Sequence, residues 1–171
     1  ALASKRMLAA LGVWANVAEN AQPMLEIKAS DGRAGSGPAP FFLHFDHAEI
    51  EEGPMGHMLE DRFLRRALMD AMEAQPLITH RANSRVLSQD TNELASVTLE
   101  GGEVLHGRLV VGADGRRSGV AKRAGIKRMG WDYGQTALVC AVDHEHPHNS
   151  IAHQFFMPGG PLAILPLPGN R

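Results

Sequence analysis

The 171-residue chain holds a single cysteine, Cys140, which rules out an internal disulfide or a multi-thiolate zinc site and suits a reducing compartment. Cytosol is the expected setting. Charge of one sign is not in excess: 17 Lys+Arg stand against 19 Asp+Glu, a formal −2, so no nucleic-acid partner held by its phosphates is expected. No apolar stretch approaches the ~20 residues that cross a bilayer, and the first residues hold Lys5 and Arg6 without the long apolar core of a signal peptide. There is no internal repeat. No Gly-x-Gly-x-x-Gly joins a strand to a helix either, since Gly35-Ser36-Gly37-Pro38 is a polar turn with no helical run behind it. The chain opens at Ala1 without an initiator methionine and stops at Arg171 just past an apolar run, the pattern of an excised piece. With 44% hydrophobic and 21% charged residues, it has the composition of a globular protein.

The chain alternates between helical and strand patterns. Ser4 is the expected N-cap of a helix through Leu11, with Met7, Leu8 and Leu11 on one face and Gly12 as the stop. Met24–Ala29 alternates with period 2. A long polar turn from Ser30 to Pro38 then predicts a wide hairpin with Phe41–Phe45. Leu64, Ala67, Leu68, Ala71 and Met72 form an i, i+3, i+4, i+7, i+8 stripe, predicting a helix from Glu60 to Glu73 that Pro76 closes. Short strands are expected at 77–79, 86–87 and 94–99, with Gly101-Gly102 turning a tight hairpin into Val104-Leu105. The unbroken apolar run Arg108–Gly112 reads as a strand covered on both faces in a parallel sheet. A helix from Ser118 to Ala124, ended by Gly125, and strands at 136–142, 151–157 and 162–167 complete the reading.

The sharpest feature is Leu109-Val110-Val111-Gly112-Ala113-Asp114-Gly115-Arg116-Arg117-Ser118. A buried strand ending in small residues brings backbone N–H groups and a short carboxylate to the carboxyl edge of a sheet, where nucleotides bind in α/β folds. Gly112 and Gly115 permit close backbone approach. Asp114 can accept from a ribose or an arginine while capping the next helix, although a plain strand-to-helix turn uses the same residue types. His144, His146, His148 and His153 are numerous enough for a metal site, but the loop around Pro147 does not fix them about one ion. A surface loop with one substrate-facing histidine is the competing account. His44 and His47 read as strand-edge residues, and Cys140 as an inert buried thiol.

The Gly-Ala-Asp-Gly-x-x-Ser segment resembles the Asp-Gly fingerprint of the flavin-dependent aromatic hydroxylases, the p-hydroxybenzoate hydroxylase-like monooxygenases. Three more stretches agree in order. Ser4 to Trp14 resembles the helix after the first cofactor loop in the ubiquinone-biosynthesis branch. Gly56 to Leu68 is similar to that branch's Glu-Asn-Arg-x-Leu-x-x-x-Leu helix start, and Gly160-Pro161-Leu162-Ala163-Ile164-Leu165-Pro166-Leu167 to its Gly-Pro-Leu-Ala-x-Leu-Pro-Leu strand. Two departures stand out: Asp61 replaces the usual asparagine, and Ala121 follows Ser118-Gly119-Val120 where the family carries arginine.

The resemblance implies a mixed α/β fold, an incomplete FAD-binding Rossmann-like part (residues 1–20 and 56–125) joined to a mainly antiparallel substrate-domain sheet (21–55 and 126–171). The family's first glycine loop would precede Ala1 and its Gly-Asp segment would follow Arg171, so the isolated piece is expected to be inactive and to bind FAD weakly. The implied parent activity uses NAD(P)H and FAD to hydroxylate the ring of a polyprenylated phenol on the way to ubiquinone. Asp61, Arg62, Gly112, Asp114 and Gly115 are the implied cofactor-binding residues. Gly160, Pro161 and Leu162 are the implied substrate wall. Peripheral membrane association, contact with other ubiquinone-biosynthesis enzymes and self-association of the piece are further expectations. The rival account is a non-catalytic module that binds a hydrophobic ligand on its sheet.

Overall fold

The computed structural model describes residues 1–33, 35–50 and 52–171. Two compact units divide the chain, one of residues 1–78 with 139–171 and one of residues 79–138.

In the first unit, helix α1 spans Leu2–Ala10 and begins ahead of the expected Ser4 cap, because Lys5 N already donates to Ala1 O at 3.1 Å. Ala1 supplies no side-chain cap. The stop at Gly12 is as expected and has a specific cause. Gly12 adopts φ +73°, Gly12 N donates to Ala9 O and Val13 N to Leu8 O, the paired bonds of a Schellman motif. Leu8 and Val13, the hydrophobic partners of that motif, are both buried and join Val17 and Ala67 in a core. Two 3-10 turns, Trp14–Asn16 and Ala18–Asn20, carry the chain past this core. Helix α2, Asp61–Glu73, closes it, and the stripe read from the sequence is the face that does so: Ala67 is buried, with Leu64 and Ala71 packed against the cluster.

The sheets follow the alternation with shifted limits. Strands β1 (Gln22–Met24) and β4 (Gly56–Met58) make a small antiparallel pair. The expected hairpin forms between β2 (Glu26–Arg33) and β3 (Gly37–Asp46). It is tighter than the sequence suggests, because Gly32 and Arg33 pair with Pro38 and Gly37 across an irregularity near Ser30, which turns half of the supposed loop into ladder. Strand β8, Ile151–Met157, runs parallel to β2, and β9, Gly160–Ile164, antiparallel to β8, giving the order β3-β2-β8-β9. The sheet is mainly antiparallel with one parallel pair.

The second unit holds β5 (Val86–Asp90), β6 (Ala95–Leu99) and β7 (Val104–Gly107) in an antiparallel meander, with Gly101-Gly102 at the β6–β7 turn. Helix α3 spans Gly119–Arg123. Gln89 ties it to β5: Gln89 Nε2 donates to Val120 O at 3.2 Å and Arg123 Nε to Gln89 Oε1 at 3.1 Å.

Five expectations fail, three of them for one reason. Leu109–Val111, Thr136–Val142 and Leu77–Thr79 are not strands. Leu109 and Val111 are 76% and 73% exposed, and Leu138 and Val139 more so. A strand exists only through its neighbours, and among the described residues none of these segments has one. Cys140 lies in the second segment and is exposed, not buried. Strand β9 also starts and ends earlier than 162–167, because Pro166 has no N–H to offer a ladder and Leu167 N donates instead to Arg171 O at 2.8 Å.

Candidate functional site

In the second unit, the Asp114 turn is locked by its own side chains. Asp114 Oδ2 accepts from Gly119 N at 2.7 Å and Val120 N at 3.1 Å, and its Oδ1 accepts from the Ser118 hydroxyl. Ser118 Oγ in turn accepts from Ala121 N at 3.0 Å. The first three free N–H groups of α3, which every helix start leaves without intrahelical partners, are thus satisfied within the chain. The Ser118 hydroxyl and the Val120 and Gly119 amides hold the Asp114 carboxyl down at about 2. Of the roughly four lone-pair sites on a carboxylate, three are occupied, leaving one acceptor on Oδ1.

Gly112 and Gly115 serve this turn differently. A Cβ at Gly112 would stand 3.0 Å from both Cβ and Cγ1 of Val120, so the absence of a side chain is what lets the chain pass against α3. Gly115 has φ +75° with open space where a Cβ would point, and is exposed. Its backbone is the accessible part of the motif.

In the first unit, Glu60 is the N-cap of α2 without a side-chain cap bond, and Asp61 opens the first turn. Asp61 does not cap the helix. It pairs with Arg65 one turn on, accepting from Nη2 at 2.9 Å and Nε at 3.2 Å. This i, i+4 pair turns the carboxylate toward a cation other than Arg62. Arg62 is held in a fork by Glu60, Nε at 3.0 Å from one oxygen and Nη2 at 3.1 Å from the other, and its guanidinium lies 4.4 Å over the Phe63 ring. Sequence reasoning missed the rest of this network. Arg171 Nη1 also reaches Glu60, at 3.4 Å, while its Nε reaches Asp143 at 3.1 Å. Separations of 111 and 28 residues carry no local signal. A concavity of about 510 Å³ along α2 is lined by residues of that helix alone, so it is a charged face and not an enclosed pocket.

Gly160, Pro161 and Leu162 stand together at the start of β9. Pro161 is opposite Phe156 and Leu162 opposite Phe155, so the two side chains point to opposite faces. Pro161 is tolerated because β9 is an edge strand. The structure thus gathers the site residues into three sets, Asp61 with Arg62, Gly112 with Asp114 and Gly115, and Gly160 with Pro161 and Leu162.

The first two sets, each taken by itself, carry groups of the kind that hold a nucleotide cofactor. Arg62 has spent two of its five N–H donors, Asp114 keeps an acceptor for a hydroxyl, and Gly115 offers open backbone. Residues 3–158 match the FAD binding domain family, a class of flavin-binding proteins, and the chain belongs to it. Among curated relatives, it is 46% identical to the ubiquinone hydroxylase UbiL of Rhodospirillum rubrum, all of this chain aligning with 39% of that protein. It is 35% identical to the 3-demethoxyubiquinol 3-hydroxylase of Escherichia coli, covering 98% of this chain and 42% of that one. Against a crystal structure of P. aeruginosa PqsL, the TM-score is 0.74 at 22% identity, over 96% of this chain and 45% of that one. The chain therefore spans about two-fifths of the length of the curated relatives it matches. Among the described residues no helix is long and apolar enough to cross a membrane.

Proposed function

We propose that the chain belongs to an FAD- and NAD(P)H-dependent monooxygenase that hydroxylates the aromatic ring of a polyprenylated phenol in ubiquinone biosynthesis. What carries the reading is the closed turn from Gly112 to Ser118, a self-capped strand-to-helix junction that leaves the Gly115 backbone and one Asp114 acceptor open. The hydroxylase activities of the relatives from R. rubrum and E. coli support the reaction class. In this account residues 1–20 and 56–125 serve the cofactor, and 21–55 and 126–171 the substrate.

FAD, when bound, supplies the oxygen chemistry, which the protein cannot perform with side chains. Overall, two electrons from NAD(P)H and one dioxygen give a ring hydroxyl and a water. The chain's own contributions are binding and orientation. Arg62 presents its remaining donors to the cofactor's phosphates, Glu60 fixes its rotamer, and Arg65 neutralises Asp61 so that an anion beside Arg62 does not repel another. Asp114 takes a ribose hydroxyl, and the Gly115 backbone allows close approach. Gly160, Pro161 and Leu162 form part of the substrate wall. An apolar substrate fits peripheral membrane association and contact with other enzymes that handle the same intermediates.

The test is oxidation of NADH or NADPH, with FAD, by the whole monooxygenase to which the chain is proposed to belong, followed for stimulation by a polyprenylated phenol and for incorporation of one oxygen atom from dioxygen. Arg62→Gln is expected to weaken FAD binding about tenfold, the low end of a charge-assisted hydrogen bond at an exposed site. Absence of phenol-stimulated oxidation together with unchanged FAD affinity in Arg62→Gln would overturn the reading.

A further inference from the structure

Strand β8 is entered through a strained turn. Ile151 N donates to His148 O at 3.0 Å, and the two residues between them are left-handed, Asn149 at φ +52° and Ser150 at φ +60°. Asparagine tolerates that conformation and serine does so less readily. Three bonds hold Ser150 there. Leu25 N donates to its carbonyl and Gln22 Nε2 to its hydroxyl, each at 2.9 Å, and its own N–H donates to His148 Nδ1 at 2.9 Å. The last bond fixes the state of the ring. A ring nitrogen that accepts carries no proton, so the proton of this imidazole lies on Nε2. Nε2 faces two carbonyls, Leu167 O at 3.0 Å and Gly169 O at 2.8 Å, and shares its one N–H between them.

What the ring holds is the loop after β9. Pro166 is fully buried, His144 N donates to Asn170 O at 2.9 Å, and Leu167 N donates to Arg171 O at 2.8 Å. With the loop fixed, the Arg171 side chain spans two carboxylates, Nε to Asp143 Oδ1 at 3.1 Å and Nη1 to Glu60 Oε1 at 3.4 Å. The same Glu60 Oε1 accepts from Arg62 Nη2 at 3.1 Å, and Glu60 Oε2 from Arg62 Nε at 3.0 Å. One carboxylate stands between two guanidiniums. All of these residues lie in the first unit.

We propose that His148 and Arg171 are positioning residues for Arg62: His148 clamps the 167–171 loop, the loop delivers Arg171 to Glu60, and Arg171 sets how Glu60 presents Arg62 to a phosphate anion. The inference rests on the reading of Arg62 as a cofactor contact, and it names the residues through which that contact is prepared. Two effects act in the same direction. Glu60 alone would cancel the charge of Arg62, whereas a second guanidinium on the same carboxylate leaves the cluster cationic toward an approaching anion. Asp143 balances Arg171 only from the solvent side, with its side chain 85% exposed, where water and salt screen it. Arg171 also holds the Glu60 carboxylate in one orientation, so Arg62 has less rotamer freedom to lose when an anion arrives. The neighbouring charges of α2 do not replace it, because Asp61 and Arg65 are paired with each other.

The test uses the whole monooxygenase to which the chain is proposed to belong, stripped of flavin and titrated with FAD by flavin fluorescence, with the His148 ring nitrogens followed by NMR in the flavin-free protein. Arg171→Met is expected to weaken FAD binding about fivefold and to add nothing further in an Arg62→Gln background, since it acts through that residue. His148→Gln keeps a donor for the two carbonyls and should retain most of the affinity. His148→Asn keeps an acceptor for Ser150 N but no donor that reaches the loop, and should lose as much affinity as Arg171→Met. The unaltered protein should show the proton on Nε2 and an accepting Nδ1, a readout that needs no variant to fold. A proton on Nδ1, full FAD affinity in His148→Asn, or an additive loss in the double variant would overturn the inference. Weakened binding in Arg62→Gln beside unchanged binding in Arg171→Met removes the inference alone, whereas unchanged binding in Arg62→Gln removes the cofactor role of Arg62 and the inference with it.

Discussion

Gly112→Ala tests whether the Asp114 turn is set by close approach to α3. The added Cβ would meet Val120 Cβ and Cγ1 at 3.0 Å, a distance that forces movement. Helix α3 has five residues and could retreat, but Asp114, Ser118 and Gln89 hold it by side-chain hydrogen bonds that retreat would lengthen. Overpacking of this kind costs about 1–3 kcal/mol. Gly112 is not in the left-handed region, so alanine also restricts the unfolded chain, contributing about 0.4–1 kcal/mol the other way. The net expectation is destabilisation by about 1 kcal/mol, read as roughly fivefold faster hydrogen exchange at the Gly119 and Val120 amides. Val120→Ala removes the Cγ1 contact but keeps Cβ, so the double variant should recover part of the loss, a coupling that a thermodynamic cycle measures. Gly130, with open space and no left-handed backbone, is the control: Gly130→Ala should be neutral or slightly stabilising. A neutral Gly112→Ala, or a double variant that recovers nothing, would refute the steric account.

The Asp114 carboxyl predicts an acid transition confined to its turn. Its pKa is lowered from 3.8 to about 2, so its stabilising contribution is fully present above about pH 4 and is lost as pH falls toward about 2. The Gly119 and Val120 amide shifts should titrate with that midpoint, and Asp114→Asn should abolish the titration. Persistence of the same transition in Asp114→Asn would assign it to another group. At Gly12, with φ +73° and no atom within 4 Å of the place a methyl would take, alanine should cost about 1 kcal/mol from backbone strain alone. Gly12→Asn should recover part of it, because asparagine tolerates that conformation; urea unfolding compares the three proteins.

What the residues disclose without coordinates is whatever closes on itself locally. The α2 stripe spans two turns and needs no partner to be recognised, and Leu64, Ala67 and Ala71 pack as it implies. The Gly101-Gly102 hairpin and the Gly12 and Gly125 helix stops are equally local. The start of α1 departs from expectation because Ser4 has the right chemistry for a cap but the first backbone bond forms from Ala1. Gln89 gives no sign of being a partner of α3: a glutamine in an exposed-looking strand reads as solvent-facing until β5 and α3 are brought together. The Glu60–Arg171–Asp143 network lies beyond any local pattern for the same reason.

The Leu109–Ser118 segment joins both kinds of information in one short stretch. Its second half encodes its own geometry: a carboxylate followed one helical turn later by a serine reaches the first N–H groups of the next helix, and a glycine just ahead of the carboxylate clears Val120. Its first half, Leu109–Val111, carries an apolar composition that a strand shares with any segment awaiting a partner, and it takes no strand form here. The turn is formed even though the preceding residues are not in a sheet. Part of the reason for Asp114 and Gly112 is therefore structural, the capping and clearance of α3, and a family fingerprint at these positions is no measure of cofactor contact taken alone. What is left open to a ligand is narrower: the exposed backbone at Gly115 and the unfilled acceptor on Asp114.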